Sequence, residues 1–527
     1  MWADLCRAAV VAAALVAACA QAVTLRVANQ GDAQSMDPHA LNEALQLSLL
    51  GNVYEPLVGR DQQLALTPAL ATRWAQTAPT VWRFDLRRGV RFHDGTPLTA
   101  DDVVFSFRRA AGEGSDMKSY TASIKAVREV LGAGGDQAVE FETAAPFPIL
   151  PDVISNVFIM SRAWCEANQA THPVDRRQGI ENAASFKANG TGPFQLKERQ
   201  PGTRTVLIRN TGYWAAAAGN LSEVVFTPIA NDATRVAALL SGELDVMEPV
   251  PLQDVERLKA APGLKVLQGP ELRTIFLGMD QRRDELLYSD VKGKNPFKDH
   301  RVRQAFYQAI DIEAIRRRVM RGAATPAALM AGPGVRGYPS DLDRRLPHDV
   351  GAAKRLMAEA GYATGFELGM NCPNDRYVND AEICQAVAAN LARIGVRIKL
   401  QAEPKTTYFP KILSRQTSFY LLGWTPGTYD AHDVLSALLA TPNAAGQGQA
   451  NLGAYSNARV DELTAAVQSQ TDPARRNALI REAFEVHARD IGHLPLHQQA
   501  LAWGMKRNVE LVQLPDNMMP FKWVTMK

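Results

Sequence analysis

Between Asp299 and Leu422, helix-like and strand-like segments take turns along the chain, and this alternation restricts the fold more than any other feature. Asp299 is a good N-cap, and Val302, Ala305, Phe306, Ala309 and Ile310 follow at helical spacing on one apolar face. Asp311 restarts a second helix carrying Ile312, Ile315 and Val319. The pattern predicts a helix over 350–360 stopped at Gly361 and a strand over 366–370. It then predicts a helix over 381–394 ended at Gly395, where a left-handed cap is easy for glycine, and strands over 396–400 and 419–422. Strand–helix–strand units of this length pair their strands in parallel. Sheets of that kind take ligands beyond the carboxyl ends of their strands, so 371–377 and 423–433 fall on the expected ligand edge.

The first third is strand-rich. Residues 81–86 (VWRFDL) alternate apolar and polar positions, as a half-buried strand does. Thr99 and Asp102 have the spacing of a capping box that opens a helix over 100–110. Glycines 132, 134 and 135 read as a hairpin tip before a strand over 138–141. No internal repeat interrupts the order, and the class expected is α/β.

The start of the chain reads as an export signal. Ala8 to Ala18 is an unbroken apolar run, too short for a bilayer span of about 20 residues, and Ala20-Gln21-Ala22 is a small-x-small cleavage site. A signal peptide over 1–22 is therefore expected, giving a periplasmic chain. The segment ending at Cys19 also fits a lipoprotein box, but only Gln21 to Val23 separate Cys19 from the first strand-like residues, and the soluble form is favoured. A net charge of +3, without blocks of like charge, indicates no nucleic-acid partner. Outside the signal, Cys165, Cys372 and Cys384 remain. An oxidising compartment allows one disulfide; Cys372 and Cys384 form either that pair or two small buried residues.

Motifs for catalysis fail on context. Residues 332–337 (GPGVRG) have dinucleotide-binding spacing, yet Pro333 lies inside and no strand precedes the segment. No phosphate-loop lysine, zinc-type histidine pair or nucleophile elbow is present. His493 and His497 stand four apart, but Pro495 between them breaks a helix, so a shared metal face is not expected. No cofactor and no metal is expected.

Several stretches, taken in order, resemble one family. They are 54–58 (YEPLV), 66–71 (LTPALA), 82–103 (WRFDLRRGVRFHDGTPLTADDV), 190–194 (GTGPF), 301–306 (RVRQAF) and 359–362 (EAGY). The succession resembles the oligopeptide-, dipeptide- and nickel-binding family of periplasmic solute-binding proteins. The resemblance implies a two-lobed fold with a central ligand cleft and an extra inserted N-terminal subdomain. Lobe I would comprise 23–58, 187–272 and 495–527, the inserted subdomain 59–186, and lobe II 273–494. The chain would cross the hinge near Gly269-Pro270 and return near 495–499. The implied role is non-enzymatic: a monomer capturing a peptide or peptide-like solute and delivering it to an ABC permease of the inner membrane. The alternatives are a non-peptide solute (a metal chelate, a sugar or another small organic molecule), a periplasmic hydrolase, and a ligand-loaded sensor or chaperone.

The same resemblance nominates site residues. Trp424, Thr425, Tyr429 and Asp430 follow a strand's carboxyl end, and Trp424 would form a flat aromatic wall. Peptide-binding relatives carry, three residues after this Trp, an Asp that pairs with the ligand's α-ammonium; here the position is Gly427. Either Asp430 substitutes through a changed loop or the ligand presents no free amine there, the latter being favoured. Asp430 is equally a plain turn residue. Arg376, or the strictly aligned Asn374, would sit where an arginine grips a ligand carboxylate, with local pairing as the alternative for Arg376. Tyr54, Glu55, Gly190, Thr191 and Gly192 would face the cleft from the first lobe, the glycines serving also as a tight turn. Arg273 would reach the cleft or brace the crossover.

Overall fold

A computed structural model of the chain describes residues 23–131, 137–176, 178–216 and 218–527. The expected signal peptide, Cys19 and the glycine hairpin tip lie outside the described residues.

Among the described residues, eleven strands join into one mixed sheet. From one edge, Arg397–Glu403, Glu367–Pro373 and Phe419–Trp424 lie side by side. Two long strands follow, Leu264–Met279 and Leu494–Lys506. Beyond them come Val246–Glu248, Thr24–Asn29, Glu223–Pro228, Arg204–Arg209 and Phe194–Gln200, and Ala324–Pro326 pairs with Leu494–Lys506 off this path. The parallel pairing expected for the strand–helix–strand units holds: Glu367–Pro373 runs parallel to Arg397–Glu403 and to Phe419–Trp424. Where the halves join, pairing is antiparallel instead, because Leu264–Met279 leaves the first half and Leu494–Lys506 returns to it. Their register shifts between Pro270 and Thr274, opposite Gln498 to Ala500.

Each half has its own core. Helices His300–Ala309, Val350–Glu359 and Asp380–Ala392 cover the second half, burying Val302, Phe306, Met357, Ile383 and Leu391 against Leu277, Leu368 and Phe419. The first half closes around Leu25, Val27, Phe194, Val224 and Trp503. A four-stranded antiparallel sheet, ordered Ala71–Ala78, Val81–Leu86, Gln137–Thr143 and Ile124–Leu131, forms a separate layer. Helix Ala100–Ala111 packs on it, with Phe141 edge-on to Phe84 (5.2 Å) and Phe107 (4.7 Å). The capping box at its start is made on both sides: Thr99 N donates to Asp102 Oδ2 (2.8 Å), and Asp102 N donates to Thr99 Oγ1 (3.4 Å).

Cys372, in strand Glu367–Pro373, is disulfide-bonded to Cys384, on helix Asp380–Ala392, with Cα atoms 6.6 Å apart; Cys165 is free and buried. His497 lies within strand Leu494–Lys506, buried, with no hydrogen-bond partner on either ring nitrogen among the described residues. Burial, with Arg345 adding, pushes its pKa down to about 3. His493 pairs instead with His487, its Nδ1 lying 3.0 Å from His487 Nε2. No group of three or more His, Cys, Asp or Glu among the described residues could hold a metal ion.

Candidate functional site

A cavity of about 90 Å³ opens where strands Glu367–Pro373 and Phe419–Trp424 end, between the two halves of the sheet. Arg376, Tyr377 and the loop 423–429 wall it on one side. Glu43, Leu47 and Asp516 wall the other, while Asp116, Tyr120 and Asn156 reach in from around the four-stranded layer.

Ion pairs organise the polar end. Arg376 Nε lies 2.6 Å from Glu43 Oε1, and Lys405 Nζ lies 3.6 Å from Glu43 Oε2. Glu43 also caps helix Ala44–Leu50, accepting from Leu45 N (3.2 Å) and Gln46 N (2.9 Å). Burial alone would raise the pKa of Glu43, but Arg376 and Lys405 outweigh it and hold the group at about 2. Arg273 donates to Glu271 (2.7 Å), which also accepts from Gln499 (2.8 Å). The two guanidiniums lie over the Tyr377 ring, Arg376 at 4.9 Å and Arg273 at 5.6 Å from its centroid. Gly423 lets these groups approach: a Cβ there would come within 2.9 Å of Arg273 Cδ and Tyr377 Cε1.

The loop after Phe419–Trp424 is held from within and from across the cavity. Trp424 Nε1 donates to Asp433 Oδ1 (2.8 Å), and burial, against that hydrogen bond, lifts the pKa of Asp433 to about 7. Asn156 Nδ2 donates to Gly427 O (3.1 Å). Tyr429, at φ 55°, donates its hydroxyl to Asp516 and lies under the Arg60 guanidinium (4.5 Å). Asp116 accepts from Gln449 Nε2 (2.6 Å) and Asn42 N (2.8 Å).

Of the residues nominated from sequence, Arg273, Arg376, Trp424, Thr425 and Tyr429 line this cavity together. The others do not, each for a packing reason. Glu55 is buried and satisfied by Thr191 (2.9 Å), Tyr213 (2.7 Å) and Trp214 (2.8 Å), so both Glu55 and Thr191 are committed to a structural cluster. Burial raises the pKa of Glu55 despite these donors. Tyr54 is fully buried and borders, with Glu55, an adjoining cavity of about 170 Å³. Gly190 and Gly192 pack on the Val53 backbone, where a Cβ at Gly190 would overlap the Val53 carbonyl oxygen. Asn374 is exposed, with its backbone N–H on Glu403 O (3.0 Å). Asp430 lies outside the lining of this cavity. It caps helix Ala431–Val434 and binds Arg476 through both oxygens (2.7 and 3.0 Å). Burial would raise its pKa, and Arg476 outweighs it, leaving the carboxylate lowered.

Sequence reasoning missed Glu43, Asp116, Tyr120, Asn156, Gln449 and Asp516. Glu43 carried the signal of an acid just before an apolar helix. The rest, Tyr120 on the short helix Lys118–Thr121 and the others outside regular elements, are gathered only by the tertiary fold.

Comparison with known proteins agrees with this architecture. The family model described as bacterial extracellular solute-binding proteins, family 5 Middle, matches residues 65–446. The chain is 24% identical over 508 residues to the glutathione-binding protein GsiB of Escherichia coli (strain K12), covering 95% of this chain and 94% of that one. Among solved structures it is similar to the periplasmic binding protein DppA of Helicobacter pylori in complex with the peptide STSA: TM-score 0.83, 23% identity, 95% of this chain and 98% of that one. It is likewise similar to AgaA of A. tumefacien R10 in complex with agropinic acid, with TM-score 0.84, 20% identity and coverage of 96% and 99%. With more than half its length matched, and with two halves joined by the strands Leu264–Met279 and Leu494–Lys506 around a central cavity, the chain belongs to the family 5 bacterial extracellular solute-binding proteins.

Proposed function

We propose that this protein is exported by its N-terminal segment, works as a periplasmic monomer, and captures a peptide or peptide-like solute in the cavity between its halves. It then delivers the solute to an ABC permease of the inner membrane. The observation that carries the reading is that the cavity draws its walls from both halves of the sheet and from the segments around the four-stranded layer. A solute held there touches all three at once, so its binding energy favours the closed form. The proposed ligand contacts are Arg273, Arg376, Tyr377, Trp424, Thr425 and Tyr429. The proposed division is lobe I (23–58, 187–272, 495–527), an inserted subdomain (59–186) and lobe II (273–494), with the hinge at the register shift between Pro270 and Thr274.

The reading is of a binder and not an enzyme. Among the described residues, the acids that line the cavity, Glu43, Asp116 and Asp516, each already hold hydrogen-bond or ion-pair partners. Native mass spectrometry of protein purified from the periplasm tests it. The expected result is a monomer carrying an intact small solute, released on denaturation with its mass unchanged. Recovery of cleaved solute after incubation overturns the non-enzymatic reading, and a co-purified sugar or metal chelate overturns the peptide reading.

A further inference from the structure

We infer that the solute is an anion without a free α-amine: a carboxylate head on Arg273, with an apolar, uncharged body such as an N-acylated peptide. This rests on the cavity's being the peptide-binding site proposed above, and it narrows the ligand within that class.

Two independent observations support it. The first is which polar groups at the cavity already have partners. Every acid bordering it is engaged at both oxygens: Glu43 by Arg376 and two helix N–H groups, Asp116 by Gln449 and the Asn42 N–H, Asp516 by Tyr429 and the Met518 N–H. An incoming ammonium would therefore have to share carboxylate oxygens that already accept hydrogen bonds. The donors differ. Arg273 is 2% exposed, and its Nη2 has no hydrogen-bond partner among the described residues; neither has the Thr425 hydroxyl. Both residues line the cavity. A buried donor without an acceptor is costly, so the group that completes this wall is an acceptor, and beside a guanidinium a carboxylate serves best.

The second observation is at Gly427, on the loop that follows strand Phe419–Trp424. A Cβ on Gly427 would stand 2.5 Å from Tyr120 Oη and 2.6 Å from Asn156 Oδ1. Uncharged groups from segments around the four-stranded layer therefore fill the space a longer side chain at this position would need. Around it the walls are Leu47, Phe409, Ile412, Leu422, Trp424 and Met518, suited to an apolar body and unsuited to a desolvated ammonium.

Four probes differing only at their ends test the inference by calorimetry on the ligand-stripped full chain. They are N-acetyl-leucyl-leucine (carboxylate only), leucyl-leucine (both charges), leucyl-leucinamide (amine only) and N-acetyl-leucyl-leucinamide (neither). The expected result is that N-acetyl-leucyl-leucine binds about tenfold or more tighter than leucyl-leucinamide and at least as tightly as leucyl-leucine. In Arg273→Gln, that preference for the carboxylate collapses. Should Arg273→Gln not fold, Thr425→Val is expected to narrow the same preference severalfold. Equal binding of all four probes, or tighter binding of leucyl-leucinamide, overturns the inference and leaves the peptide reading standing. No binding of any probe by the folded chain overturns the peptide reading, and this inference with it. An unchanged carboxylate preference in Arg273→Gln or Thr425→Val overturns the assignment of the head group to this wall.

Discussion

Trp424 shows how one side chain links fold and site. Its indole N–H is bound to Asp433, which orients the ring, and the residue lines the cavity. Trp424→Ala should weaken solute binding about tenfold or more, or ~1.4 kcal/mol for each factor of ten, with little change in the unfolding midpoint. Calorimetry beside thermal denaturation checks both halves of that statement. Glu43 gives a pH dependence with a definite sign. Its pKa falls from the ordinary 4.5 to about 2 when Arg376 and Lys405, from the opposite half, close on it. The stabilisation is thus fully present above pH 4.5 and is lost as pH falls toward 2. Solute affinity should decline on acidification through that window, and Glu43→Gln should flatten the decline when binding is titrated against pH.

Helices and strands were the most legible part of the sequence. Helix His300–Ala309 follows from Asp299 and its apolar face, and Ala100–Ala111 from the Thr99/Asp102 box. Ends were less certain: the helix expected over 381–394 runs Asp380–Ala392, and the strand expected over 366–370 runs Glu367–Pro373, because tertiary hydrogen bonds decide where the last turn or ladder stops. Antiparallel pairing across the middle was illegible, since nothing local says that residues near 270 meet residues near 498. The site divides the same way. Arg376 and Trp424 were readable as strand-end residues, whereas Gly190 and Gly192 imitate ligand-approach glycines while serving the Val53 backbone. Thr99→Ala should cost about 1 kcal/mol in chemical denaturation by removing the cap of Ala100–Ala111. Cys384→Ser should cost about 2–3 kcal/mol, since the Cys372–Cys384 link spans only 12 positions, and the same loss should follow reduction of the native protein.

At the scale of the molecule, protein contacts across the cavity join the second half to the segments around the four-stranded layer. Gln449 reaches Asp116 and the Ser119 N–H, Asn156 reaches Gly427, and Arg336 meets Asp152 (3.0 Å). Arg336 is half-exposed, so its pair contributes little. Gln449, bonded to a buried carboxylate, contributes more. Gln449→Ala should lower solute affinity about fivefold by favouring the open form, with the average radius in small-angle scattering rising at sub-saturating solute.

The sheet's connectivity also bears on how such a chain is made. Strand Leu494–Lys506 pairs with Leu264–Met279 along nearly its whole length and with Val246–Glu248 on its other side. Neither half can finish its ladder until residues this late in the sequence have left the ribosome. A chain made only as far as Leu264–Met279 therefore lacks the partner of its central strand. The interleaving that ties the halves together thus also makes the central ladder a long-range pairing, formed only after the segment between its strands has been made.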